Sequence, residues 1–414
     1  MAGKVYGHPA EFVPEKAICQ SIIQQCSELT RSCDEIHVAA WQEICHALPH
    51  LMIQSLHIEN FRCFRDVHLD DLGRVNILAG GNGSGKTAFL EALFLPGSDH
   101  QAAFGYRAWR GIASPPNYVS RAMYESCWKD LFFRFSQNQI IKIEILGTPE
   151  NKRTVRVFYD SGFQMPLPLP SVTQPGQPLP SVSKVEPQLG TPLVFETTDA
   201  AGKKYSNHAL FDPNTGGLVM SGSKAPVASI RFIPTNSMVS VADEFSRIDM
   251  QKNGKTELIK SVKKIFPEIA DLSVLSPAGF PDLYATINEL PEKVPIGLIS
   301  GGVRRFLAIL LSIAERDGGV ILVDEIENGI YHESFGTVWR AIFTFCEKYD
   351  VQLFAATHCL ECLDALQPLL SEHEDKFRLL RTEKCPDKTD GSHTVRLSKG
   401  RDFLAALETG TEIR

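Results

Sequence analysis

The chain has 414 residues, 43% hydrophobic and 22% charged, with a formal net charge of −7, a balance typical of a globular protein of two or more lobes. The acidic charge disfavours a constitutively DNA-coated surface while leaving room for a local basic groove. The longest clean apolar run, Phe306 to Ala314, falls short of the roughly 20 residues a membrane helix needs. There is no signal-peptide pattern, and ten irregularly spaced cysteines read as reduced thiols. The expectation is a cytoplasmic protein without membrane association.

In chain order, residues 1–51 read as a helical N-terminal extension. Cys19, Cys26 and Cys33 recur at sevens near Cys45, His37 and His46. Without a C-x-x-C knuckle they form a helix seam rather than a zinc site. Residues 52–100 are expected to open the functional core. "MIQSLHIENFRCF" alternates as a strand does, "VHLDDLGRVNILAG" supplies two more strands, and a glycine loop then leads into the helical "KTAFLEALF".

Residues 101–226 read as a β-rich insertion. "QIIKIEILG" and "TVRVFYD" alternate like antiparallel strands, and "TTDAAGKKYS" looks like a hairpin turn. Between them, "QMPLPLPSVTQPGQPLPSVSKVEPQ" is too rich in proline for helix or central strand, so it is an exposed polyproline-like spacer. Residues 227–290 hold a strand, "ASIRFIP", and a helical subdomain ending in the strand "DLYATI". Residues 291–414 complete the core, finishing in a hairpin ("FRLLRTE", "HTVRLSKG") and the helix "RDFLAALETG".

"GGNGSGKT" comprises Gly80, Gly81, Asn82, Gly83, Ser84, Gly85, Lys86 and Thr87, and fits G-x-x-x-x-G-K-[ST] between a strand and a helix. In that context the glycines let backbone N–H groups cradle phosphates, Lys86 adds a point charge, and the Thr87 hydroxyl ligates Mg2+. A triphosphate site also needs a metal-anchoring carboxylate and a group that orients water. "GVILVDE" is an apolar strand delivering Asp324 to the metal and Glu325 to the water. "VQLFAATH" is a second such strand, ending in His358, within reach of a γ-phosphate. Cys359 and Cys362 fall at a helix start with no second cysteine pair and read as structural. In "LISGGVRRF", Ser300, Gly301 and Gly302 open a helix and offer a second anion cradle. Such a cradle serves when it closes over the nucleotide of another copy, which implies two ATP sites shared across a homodimer.

These motifs resemble the ABC-type ATPase superfamily in its SMC/RecF/OLD-like branch, including the stand-alone AAA15/AAA21-type ATPases. "IENFRCF" resembles the branch's N-terminal hallmark, and "VDEIENGIYHES" its acidic strand end and following segment; "ALETGTEIR" resembles the tail of the short members. The fold so implied is α/β: a mixed-sheet P-loop core with an antiparallel β lobe and a helical subdomain. The resemblance implies Glu325 as general base, His358 as switch residue, Lys86 as a catalytic cation, and Ser300, Gly301 and Gly302 as a signature acting in trans. It puts Asn328 and Gly329 in the inter-subunit loop and Arg62 near the nucleotide. Gln137 and Gln139 are the candidates for the glutamine loop.

No sustained heptads follow, so this is not a long-armed SMC protein. Residues 359–414 are too few for the Toprim nuclease domain of OLD proteins, so any nuclease is expected on a separate chain. The leading expectation is a slow ATPase, using ATP and Mg2+, that gates such an effector in an anti-phage or toxin-like system. The alternatives are a RecF-like repair ATPase that binds duplex DNA directly and a nucleotide-dependent scaffold with negligible turnover. Asn151-Lys152 runs on without an aspartate, which disfavours a GTPase.

Overall fold

Alternating side chains build two sheets that share one apolar layer. In the computed structural model, residues 51–97, 128–148, 151–162, 164–166, 189–211, 218–223, 225–226, 228–235, 241–277, 279–315, 318–386 and 389–409 are described. The chain divides into two compact units, Met1–Pro49 and His50–Arg414, and the described residues belong to the second. The helical extension expected over residues 1–51 therefore lies outside the described residues except for Leu51, and the proline-rich spacer expected over residues 164–188 does so except for 164–166, where Met165–Pro166 pairs as a short strand with Leu189–Gly190.

The strands in order are β1 (Met52–Phe61), β2 (Phe64–Leu69), β3 (Val75–Ala79), β4 (Ile141–Thr148), β5 (Asn151–Tyr159), β6 (Met165–Pro166), β7 (Leu189–Gly190), β8 (Leu193–Thr198), β9 (Lys204–Phe211) and β10 (Leu218–Gly222). They continue as β11 (Ile230–Ile233), β12 (Ile269–Leu275), β13 (Asp282–Ile287), β14 (Val294–Pro295), β15 (Gly319–Val323), β16 (Val351–Ala356), β17 (Phe377–Lys384) and β18 (His393–Lys399). The helices are α1 (Lys86–Phe94), α2 (Ala242–Met250), α3 (Gly254–Lys263), α4 (Ile296–Ile299), α5 (Gly301–Ala314), α6 (Phe335–Lys348), α7 (Leu360–Asp364), α8 (Gln367–Glu372) and α9 (Gly400–Glu408). None is long and apolar enough to cross a membrane.

One sheet has the order β11-β15-β16-β3-β17-β18. Its first five strands are parallel and β18 closes it antiparallel. A parallel sheet covered on both faces needs apolar side chains on both, and the strands comply. Ile321 and Val323 of β15 face one core with α5 and α6, while Val320 and Leu322 face the other. The second sheet is antiparallel, in the order β10-β9-β8-β5-β4-β1-β2. Ile53, Leu56, Ile58, Ile143, Val155 and Phe195 pack with Phe89 and Leu93 of α1 and with Leu322 and Phe354 of the parallel sheet. Here the fold redraws an expected boundary: β1 and β2 share a sheet with the strands of the insertion, so the antiparallel lobe starts at Met52 rather than after residue 100.

A buried amide joins the two sheets. Gln352, fully buried in β16, accepts the Ile53 N–H at 2.8 Å and donates to the Ile53 carbonyl at 2.8 Å and the Gly73 carbonyl at 2.7 Å. It does so where β1 breaks register between Ile53 and Ser55, and so satisfies backbone groups that the ladder leaves open.

Helix α5 is buried nearly all round, as a helix in the middle of a core must be. The short sheet β12-β13-β14 packs Leu272, Leu283 and Ala285 against that core beside α2 and α3. β12 and β14 are strands that the sequence reading had not marked.

Candidate functional site

Because β11, β15, β16, β3 and β17 run parallel, their C-terminal ends share one edge, where such sheets bind ligands. Strand β3 runs into the glycine loop at Gly80. Gly80, Gly83 and Gly85 take φ values of 151°, 75° and 104°, which a residue with a Cβ resists. Side chains added at Gly81 or Gly83 would meet nothing within 4 Å, so the loop's mouth is open, with Asn82 exposed beside them. Lys86 folds back and donates to the Gly80 carbonyl at 2.8 Å and the Gly81 carbonyl at 3.0 Å. Burial pulls its pKa below the ordinary lysine value, and the carboxylates of Asp324, Glu327 and Glu325 push the other way.

The loop is also held from β17 and β18. Ser84 Oγ lies 2.6 Å from Thr382 Oγ1 of β17, and the His393 ring of β18 donates from Nδ1 to the Ser84 carbonyl at 2.8 Å. Neither partner was foreseen. The expected C-terminal hairpin is there, yet its register against β3 is a tertiary fact with no local signature.

Thr87 Oγ1 donates to Asp324 Oδ2 at 2.8 Å. This bond brings together the two oxygen ligands expected for Mg2+. A hydroxyl and a carboxylate are the hard donors that ion prefers, so the pair fits it. Among the described residues, no group of three or more His, Cys, Asp or Glu side chains is placed to hold a metal. An ion there would therefore take its other ligands from phosphate and water.

Asp324 is buried, and Glu325 follows with φ of 49°, a left-handed conformation that costs energy in a non-glycine residue and recurs at functional sites. The Asp324 carbonyl accepts from buried Arg305 of α5, which also donates to the Pro234 carbonyl at 2.7 Å. Burial lowers the Arg305 pKa, opposed by Asp324, Glu325 and Glu327. Strand β16 delivers buried Thr357 and then His358, whose side chain is 48% exposed. Glu327, which the sequence reading passed over inside "VDEIENG", lies 3.0 Å from His358 Nδ1 and accepts the His358 backbone N–H at 3.0 Å.

Ser300 breaks from α4 into extended backbone and caps α5, its Oγ accepting the Val303 N–H at 3.1 Å. Ser300 and Gly301 are exposed. Gly302 is buried against Gly329, and a Cβ on Gly302 would overlap the Gly329 carbonyl oxygen. Asn328 donates its N–H to the Glu325 carbonyl at 3.1 Å.

Arg62, expected near the nucleotide, is engaged on α1. Its Nε pairs with Glu91 of α1 at 2.8 Å, and both side chains are largely buried. Cys63 of the same turn lies against Gly85 of the loop. Gln137 and Gln139 lie in the turn before β4, where the Gln139 N–H bonds the Ser136 carbonyl.

A parallel sheet whose central strand runs into such a loop, with carboxylates at the end of a strand two places away, is the construction of a P-loop ATPase. An "AAA ATPase domain" family matches residues 52–154, the stretch holding the loop. A family described as "AAA domain, putative AbiEii toxin, Type IV TA system" matches residues 222–364, which hold Ser300, Asp324 and His358. Two AAA-type ATPase families thus match the two parts of the chain that build the site, and the chain is similar to SMC/RecF-like ABC-type ATPases.

An "ATP/GTP phosphatase" of Helicobacter pylori is 23% identical over 364 residues, covering 80% of this chain and 93% of its own. The "DNA replication and repair protein RecF" of Thermomicrobium roseum is 49% identical over 45 residues, 11% of each chain. The solved SMC head domain of Thermotoga maritima aligns over 84% of this chain and 99% of its own, at 12% identity and a TM-score of 0.37. The Pyrococcus furiosus Smc head bound to the C-terminal domain of ScpA aligns over 87% and 100%, at 12% identity and a TM-score of 0.42.

Proposed function

We propose that two copies of the chain close around ATP and Mg2+, hydrolyse ATP slowly, and use the closed state to gate a separate effector protein. The observation that carries the reading is the Thr87–Asp324 hydrogen bond, which joins the glycine loop to the acidic strand end.

Gly80 to Thr87 would hold the phosphates, with Lys86 exchanging its bonds to the Gly80 and Gly81 carbonyls for phosphate oxygens. Thr87 and Asp324 would hold Mg2+, which supplies charge neutralisation when bound. Glu325 accepts a proton from the water that attacks the terminal phosphorus, the bond to the bridging oxygen breaks, and ADP and phosphate leave. His358 donates toward the terminal phosphate and registers its departure. Ser300 and Gly301, exposed at the start of α5, close over the nucleotide held by the partner copy.

Support for an effector comes from the family description that mentions a toxin system, and a Toprim-type nuclease on a separate chain is the partner class to seek. The test is ATP turnover by the purified chain, alone and with duplex DNA, together with capture of its neighbours under ATP. Recovery of a nuclease whose activity follows the nucleotide state supports the effector reading. Several-fold stimulation by duplex DNA, with steep salt dependence and no effector, replaces it with direct DNA repair chemistry.

A further inference from the structure

Of the two carboxylates that follow Asp324, only one engages the histidine. Glu327 Oε1 lies 3.0 Å from the His358 backbone nitrogen and 3.0 Å from its ring Nδ1. A single oxygen therefore fixes both where His358 starts and which way its ring turns. The bond spans two strand ends, since Glu327 follows β15 and His358 follows β16. It is reinforced where the Ile326 N–H donates to the Ala356 carbonyl at 3.0 Å.

The Glu327 side chain is 10% exposed, against 48% for His358, so the carboxylate is anchored and the imidazole projects. Its second oxygen, Oε2, is buried without a hydrogen-bond partner among the described residues. The charge of Glu327 is felt by Lys86 beside the glycine loop, Arg305 on α5, and Cys359 and Cys362 at α7. It thus stands between the glycine loop, α5 and α7.

We propose that Glu327 is the positioning residue for His358. With Nδ1–H donated to a carboxylate, the imidazole is held in one tautomer and one ring orientation, and Nε2 is the atom left to face the phosphate. This divides the labour within "DEIE": Asp324 serves the metal, Glu325 the water, and Glu327 the histidine. The inference rests on the reading of His358 as the residue that meets the terminal phosphate.

The experiment pairs ring-nitrogen NMR of 15N-histidine-labelled protein with steady-state kinetics for Glu327→Ala, Glu327→Gln and His358→Ala. The His358 signal is assigned by its loss in His358→Ala. Wild type should show Nδ1 protonated, and Glu327→Ala should lose that single-tautomer signature. Its kcat should fall about 10–100-fold, the usual loss when an orienting partner is removed, while the ATP dissociation constant stays within about 3-fold. Glu327→Gln, whose amide oxygen still accepts the Nδ1 proton, should recover the tautomer and most of the turnover. Should Glu327→Ala fail to fold, Glu327→Asp, with its carboxylate one methylene too far back, takes its place. An unchanged His358 signature and wild-type kcat in the Glu327 variants overturn this inference alone. Normal turnover in His358→Ala overturns the reading beneath it.

Discussion

Gly302, at the start of α5, packs its α-carbon against the carbonyl of Gly329, in the loop that follows the acidic strand end. Gly329 takes φ of 75°, and a Cβ there would come within 2.9 Å of the Gly302 nitrogen. The proposed signature turn and the loop after Glu325 are thus one packed unit. Gly302→Ala should force them apart at about 1–3 kcal/mol, the usual cost of overpacking. Thermal unfolding should report that loss, and size-exclusion chromatography with ATP should show weakened dimer formation.

Glu325→Gln keeps the size and hydrogen-bonding reach of the side chain and removes its capacity to take a proton. Turnover should fall about 10²–10⁴-fold, the usual contribution of a general base, while ATP affinity persists. Light scattering should then find a long-lived ATP-bound dimer. Normal hydrolysis by this variant would remove Glu325 from the role assigned to it.

Ser300→Arg should leave ATP affinity of the single copy nearly intact and block closure, because Ser300 is exposed at the helix start. Lys86→Ala should lose nucleotide affinity by about 100-fold, the value of a charge-assisted contact worth about 3 kcal/mol. Mixing the two variants creates one site with an intact loop facing an intact signature. The mixture should hydrolyse ATP where neither variant alone does, and a silent mixture would exclude sites built from two copies.

Gln352→Leu removes three hydrogen bonds and strands the Ile53 N–H and carbonyl and the Gly73 carbonyl in the core. Buried unpaired groups cost about 1–3 kcal/mol each before relaxation. A net loss of about 2–4 kcal/mol in denaturant unfolding is expected.

Local chemistry made part of this molecule readable from its residues. The glycine loop, the strand ends at Asp324 and His358, and the β4–β5 and β8–β9 pairs all carry their signal within a few residues. Other features depend on distant partners. Gln352 reads as one polar letter in an apolar strand, and its use depends on a register break three hundred residues earlier in the chain. Arg62 sits in the turn after β1, and its partner Glu91 on α1 is set by packing rather than by neighbouring residues. Glu327 was in plain view beside Glu325, and only the packing of β15 against β16 reveals its histidine partner.

Ser84 is gripped by Thr382 of β17 and His393 of β18, which follow it by 298 and 309 residues. A ribosome therefore delivers the glycine loop well before the two side chains that hold it. Until β17 and β18 have emerged and paired, a nascent chain carries the whole loop motif without the contacts that shape it.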